Sequence, residues 1–128
     1  MGGQISTKCL DCGREFTFDD GGGFVFHLLR CDTCGETKGV GFEELGELHL
    51  RYLKGLSVPY CEATRDHDER VRADPTLKPI SERTYHNRVE VFAGACSCGG
   101  KFRFNARPRC PGCRSTRIGK CHVTALYD

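Results

Sequence analysis

Ten of the 128 residues are cysteine, and eight of those fall in four close doublets: Cys9-x2-Cys12, Cys31-x2-Cys34, Cys96-x-Cys98 and Cys110-x2-Cys113. Two thiolates separated by two residues on a tight turn can both face one ion about 2.3 Å away. A disulfide framework has no need of such doublets. The opening residues Met1 to Lys8 carry no apolar stretch of the secretory type. A cytoplasmic, reducing setting is therefore expected, where cysteines act as ligands rather than cross-links. Gly2 and Ser6 fit the short myristoylation pattern, which is common enough to be read as a plain leader. The chemistry anticipated is metal binding.

The doublets lie in a repeat. The first copy runs Cys9, Cys12, Gly13, Phe16, Phe18 and closes on Arg30, Cys31, Cys34, Gly35. The second runs Cys96, Cys98, Gly99, Phe102, Phe104 and closes on Arg109, Cys110, Cys113. Internal repetition of this kind marks one structural unit used twice. Gly13 and Gly99 follow their doublets, where a metal-binding turn needs a conformation glycine adopts without strain. The alternating phenylalanines are a strand signal. The stretch Asp19 to Gly23 reads as a hairpin turn leading to Phe24 and Phe26, and Asn105 to Pro108 as a tighter one. Each unit is thus expected to be a short β-hairpin with a doublet at either end of its loop.

These motifs resemble the zinc ribbons, with their rubredoxin-like Cys-x-x-Cys-Gly knuckle. The likeness covers two patches of about 26 and 18 residues and leaves residues 35 to 95 uncovered. It implies a quartet of ligands from Cys9, Cys12, Cys31 and Cys34, and a second from Cys96, Cys98, Cys110 and Cys113. Two departures stand out: Cys96 and Cys98 are one residue closer than in the motif, and Arg114 stands where a glycine would follow Cys113. Cys61 and Cys121 are left over, as small buried apolar residues or, for Cys121, as a stand-in ligand. Four thiolates suit Zn(II) and also a single rubredoxin-type iron. Two zinc ions are expected, with iron as the alternative.

These centres need elements to hold them. Leu, Ile, Val and Phe number only 28 of 128 residues, so the core is thin and metal is a natural organiser. Residues 42 to 56 place Leu45, Leu48, His49, Tyr52, Leu53 and Leu56 on one helical face, with His49 read as packed rather than metal-bound. Residues 61 to 88 hold twelve charged side chains plus Pro75 and Pro79 and read as a linker or a long surface excursion, with room for a short helical turn at Asp66 to Ala73. Val89 to Phe92 alternates and is expected to begin a strand, and His122 to Tyr127 is expected to be another. The fold class anticipated is small, metal-stabilised and mainly β: a ribbon at 1–41, a helix at 42–60 packing on it, a charged linker at 61–88 and a second ribbon at 89–128.

Charge separates the halves. Residues 1 to 60 carry net −3 and residues 61 to 128 net +5. Lys101, Arg103, Arg107, Arg109, Arg114, Arg117 and Lys120 crowd the second ribbon, a pattern that attracts phosphate. The residues point to a non-enzymatic module whose partner is nucleic acid or a protein complex, since the zinc-ribbon resemblance implies service in nucleic-acid assemblies. Two alternatives are a rubredoxin-like electron carrier and a protein adaptor docking through helix 42–56. No membrane partner is expected. His67, Glu69 and the Cys110 doublet fall short of the zinc-deaminase pattern, because Arg109 rather than proline precedes Cys110. No P-loop, Ser/His/Asp set or paired-carboxylate motif is present, so no catalytic residue is assigned.

Overall fold

A computed structural model describes residues 2–127. Two three-stranded antiparallel sheets are joined by four α-helices, in the order β1 (Gly2–Lys8), β2 (Glu15–Asp20), β3 (Phe26–Cys31), β4 (Thr37–Gly41), α1 (Phe42–Leu45), α2 (Glu47–Gly55), α3 (Arg65–Ala73), α4 (Glu82–Ala93), β5 (Phe102–Arg103) and β6 (His122–Tyr127). One sheet has the order β2-β1-β6, and the other β4-β3-β5. Helix and strand take similar shares of the chain, so the mainly β expectation gives way to an α+β fold. No helix among the described residues is long and apolar enough to cross a membrane.

The sheets do not follow the division into an early and a late ribbon. β1 pairs with β2 and, on its other edge, with β6. β3 pairs with β4 and with β5, setting Cys31 opposite Phe102. Each sheet therefore takes strands from both ends of the chain. The expected hairpin at Asp19 to Gly23 is absent: β2 and β3 belong to different sheets, and this segment carries the chain between them. The tight turns are the doublets themselves, since Cys9 to Gly13 joins β1 to β2 and Cys31 to Gly35 joins β3 to β4.

The core forms where the second sheet meets the helices. Leu29, Val40, Leu53, Tyr85, Val89 and Phe102 are buried there. The expected helix over 42–56 is present but broken at Gly46, whose φ of 57° ends α1 and starts α2. Leu45, His49, Tyr52 and Leu53 face inward as the periodicity required. The segment 61–88 is no linker. It folds as a short 3-10 turn (Glu62–Thr64), then α3, then the first half of α4. The strand expected at Val89 is the last turn of α4. Tyr85, Val89 and Ala93 are buried at a spacing of four, whereas Val91 and Phe92 stay exposed. The Ser81 hydroxyl caps this helix by accepting the Thr84 N–H at 3.2 Å.

One buried polar group ties the layers. The Tyr85 hydroxyl lies 2.7 Å from His27 Nε2 on β3 and 2.8 Å from His49 Nδ1 on α2. A phenol has one proton, so it donates to one imidazole and accepts from the other. Tyr52 stacks on Tyr85 at 4.0 Å and Phe42 on His49 at 3.9 Å. Burial lowers both histidines to about 4, so both rings are neutral at pH 7.

Candidate metal centres

The eight doublet cysteines gather into two groups of four. The partners are exchanged relative to the tandem-ribbon expectation. Cys9 and Cys12 meet Cys110 and Cys113, while Cys31 and Cys34 meet Cys96 and Cys98. The cause is topological: β6 lies beside β1 and β5 beside β3, so each early doublet faces a late one. Short backbone links lock each facing pair. Leu10 N–H donates to Arg117 O at 2.9 Å and Gly119 N–H to Lys8 O at 2.8 Å in the first group. Asp32 N–H donates to Lys101 O at 2.9 Å in the second.

All four doublets adopt one turn. The first cysteine donates its N–H to the carbonyl five residues on: Cys9 to Arg14, Cys31 to Glu36, Cys110 to Ser115, at 2.7–2.9 Å. The carbonyl of that cysteine accepts from the residue after the second cysteine, as in Gly13 to Cys9 at 3.0 Å and Arg114 to Cys110 at 2.8 Å. The shorter Cys96 doublet makes the same turn with both bonds moved in by one residue, Cys96 to Gly100 and Gly99 to Cys96. The missing residue is thus absorbed without loss of either bond.

The residue after each doublet has positive φ: Gly13 at 78°, Gly35 at 82°, Gly99 at 94° and Arg114 at 63°. Arg114 is the only non-glycine with positive φ among the described residues. A side chain there costs about 1 kcal/mol against glycine. Arg114→Gly is therefore expected to raise stability by about 0.5–1 kcal/mol, read as an upward shift of the denaturation midpoint at constant m-value. An unchanged or lower midpoint would show that φ at 114 is not a source of strain, since the bond from Arg109 Nη1 to the backbone carbonyl of residue 114, at 2.8 Å, survives the change.

The sulfurs are spaced for a tetrahedron. Nearest Sγ pairs across each group stand 3.5 and 3.6 Å apart, and all four sulfurs lie within 4.8 Å of one another. A tetrathiolate with metal–sulfur bonds near 2.3 Å has edges of about 3.8 Å, whereas a disulfide closes to about 2.05 Å. The donor set fits one metal ion in each group. Backbone N–H groups prepare the sulfurs: Thr33 and Cys34 aim at Cys31 Sγ, both at 3.4 Å, and Gly112 at Cys110 Sγ at 3.4 Å. Burial raises the Cys31 thiol, but these donors bring it down to about 7. The Cys113 and Gly112 N–H groups lower Cys110 to about 6. Cys96 and Cys113 receive one N–H each from Cys98 and Ser115, yet burial and neighbouring thiols push both up to about 12. Four crowded thiols do not all ionise unaided, and a dication supplies the missing charge. Gly100 keeps the second group open, since a Cβ there would lie 2.6 Å from both Cys31 Sγ and Thr33 Oγ1.

The leftover cysteines join neither group. Cys61 is half-buried beside the Thr64 hydroxyl, and Cys121 is exposed on the approach to β6. The seven basic residues are not one free stripe. Arg103 is paired with Asp32 at 3.1 Å and Glu90 at 3.6 Å, and Arg117 is bonded to Asp11 at 2.5 Å. Arg109 donates one N–H to the Arg114 carbonyl, which orients its guanidinium and leaves its charge in place. Lys101, Arg107, Arg114 and Lys120 are exposed and make no ion pair among the described residues. The fold adds a residue from the acidic half: the Arg14 guanidinium lies against Gly112, on the Cys110 turn. Its place was hidden because it depends on the pairing of distant doublets.

Fold and sites together define a module of the α+β class with two four-cysteine groups, each able to hold a metal ion. Residues 5–119, most of the chain, match the family described as "Domain of unknown function (DUF8255)", and the chain belongs to that family. No curated protein and no solved structure matches it.

Proposed function

We propose that the chain is a non-enzymatic interaction module organised by two zinc ions, and that it engages nucleic acid through the basic face beside the Cys9/Cys12/Cys110/Cys113 group. The observation that carries this reading is the closed donor set. Each group offers four sulfurs to one ion, so no coordination position is left for a reactive water. The metal then acts by fixing the fold, which a thin apolar core makes necessary. Zinc is the metal of this reading because a structural role needs no redox change; four thiolates suit iron as well, and metal analysis separates the two.

Nucleic acid is favoured by what surrounds that group. Arg14, Arg107, Arg114 and Lys120 are exposed and make no ion pair among the described residues, and unpaired cations of this kind release counterions on meeting phosphate. Binding to a defined single-stranded or duplex oligonucleotide is expected to weaken linearly in log K against log salt. Arg107→Glu with Arg114→Glu is expected to reduce that slope by about two. Arg103→Gln is expected to change the slope less than either of these, because Arg103 is paired with Asp32 and Glu90. Affinity that ignores salt, or no binding at low salt, would remove nucleic acid as the partner. Elemental analysis is expected to give two zinc ions and a colourless protein, and a red iron protein would establish the electron carrier instead.

A further inference from the structure

A cleft of about 710 Å³ opens between α1 and α2 on one side and the 3-10 turn and α3 on the other. That volume lies within the range typical of small-molecule sites. Its walls are apolar, with Phe42, Leu50 and Tyr60 among them. Its charged groups are all acidic: Glu43, Glu47 and Asp68 line it, and no lysine or arginine does, in a chain with 19 of them.

Two buried polar groups face this space. Asp68 is 1% exposed. Its carboxylate accepts the Tyr60 N–H and the Thr64 hydroxyl, both at 2.8 Å, and the His67 Nδ1–H at 3.0 Å. No lysine or arginine pairs with it among the described residues. His49 is 6% exposed and lines the cleft. Its Nδ1 is held by Tyr85. Because His49 is neutral at pH 7, it does not offset the carboxylates. These acids do not converge as metal ligands: the two cysteine groups are the only metal-ligating clusters among the described residues. Negative charge spread over an apolar cleft suits an organic cation better than a metal ion.

We propose that this cleft binds a small organic cation with an apolar body, the body lying on Phe42 and Leu50 and the ammonium group meeting the exposed Glu43 and Glu47 carboxylates, with the buried Asp68 adding negative potential from beneath. The site is independent of the basic face and of the proposal made for it. Phenethylamine and phenylacetate, which share a ring and differ in charge, are the probes. Titrated into the zinc-loaded 15N-labelled full chain, phenethylamine is expected to move the amide resonances of Leu50, Tyr60 and Asp68 saturably, and phenylacetate is expected to leave them in place. Asp68→Asn removes a buried acceptor and can disturb folding. Exposed Glu43 and Glu47 therefore supply the variant, and Glu43→Gln with Glu47→Gln is expected to weaken phenethylamine about three- to tenfold. Equal response to both probes, shifts elsewhere only, or an affinity unmoved by the double variant would overturn the assignment.

Discussion

A chain carrying both Cys9→Ser and Cys110→Ser is expected to retain one tightly bound metal ion, whereas Cys9→Ser with Cys31→Ser is expected to retain none. The two pairs separate the observed arrangement from two tandem ribbons. Cys9 and Cys110 belong to one four-sulfur group, and Cys9 and Cys31 to different ones. The first pair spoils one centre and spares the other; the second takes a ligand from each. Tandem ribbons would give the reverse. Metal retained after dialysis against a competing chelator, counted by elemental analysis, decides between them. The stability consequence is large. A structural zinc site contributes roughly 10–16 kcal/mol of apparent binding free energy at neutral pH, on the order of the whole stability of a typical domain. The Cys9/Cys31 variant is therefore expected to be unfolded by circular dichroism, and the Cys9/Cys110 variant to keep the α2 and α4 helical signal around the surviving centre.

Acid is expected to loosen the core through its two buried histidines. His27 and His49 are held at about 4 in the fold, mainly by burial, against about 6.5 in the unfolded chain. A depressed folded pKa means that the unfolded state binds more protons between these values. The contribution is complete above pH 6.5 and falls away as pH drops toward 4. With metal saturating, the two rings together give a slope on the order of 2 kcal/mol per pH unit within that window. His49→Gln is expected to remove about half of it. Tyr85→Phe is expected to cost roughly 2–5 kcal/mol at pH 7, because it leaves two buried imidazole nitrogens without their shared partner. Denaturation curves at successive pH values, with bound metal monitored in parallel, test both. A slope unchanged in His49→Gln would place the acid sensitivity in the thiolates.

Local geometry was legible in the residues; long-range pairing was not. The doublets and the glycines after three of them announced the turns, which are encoded within six residues, while the Cys96 doublet, a departure from the motif, makes the same turn one residue shorter. Which doublet faces which depends on β6 lying beside β1, a pairing across more than a hundred positions that leaves no local trace. The helix at 42–56 was visible through its apolar stripe. By contrast, α3 buries only Asp68 and has no stripe to see. For α4 the usable signal was Ser81 as a cap ahead of Tyr85, Val89 and Ala93 at spacings of four, obscured by the alternation of Val89 to Phe92. The basic cluster was correct as a count of charges, but Asp11, Asp32 and Glu90 from distant segments neutralise part of it.

The exchanged doublets also make the two centres concentric. One joins positions 98 residues apart, Cys12 and Cys110, and encloses the other, which joins Cys34 and Cys96 across 62. Closing the outer loop first means confining a chain of about a hundred residues. If the inner ion is already in place, only the short arms flanking it remain free, roughly a third of that length. Loop-closure entropy varies as the logarithm of length, so the saving is about 1 kcal/mol. The centre at Cys31, Cys34, Cys96 and Cys98 is thus the entropically favoured first clasp, and its closure raises the affinity of the outer one several-fold through the polymer alone.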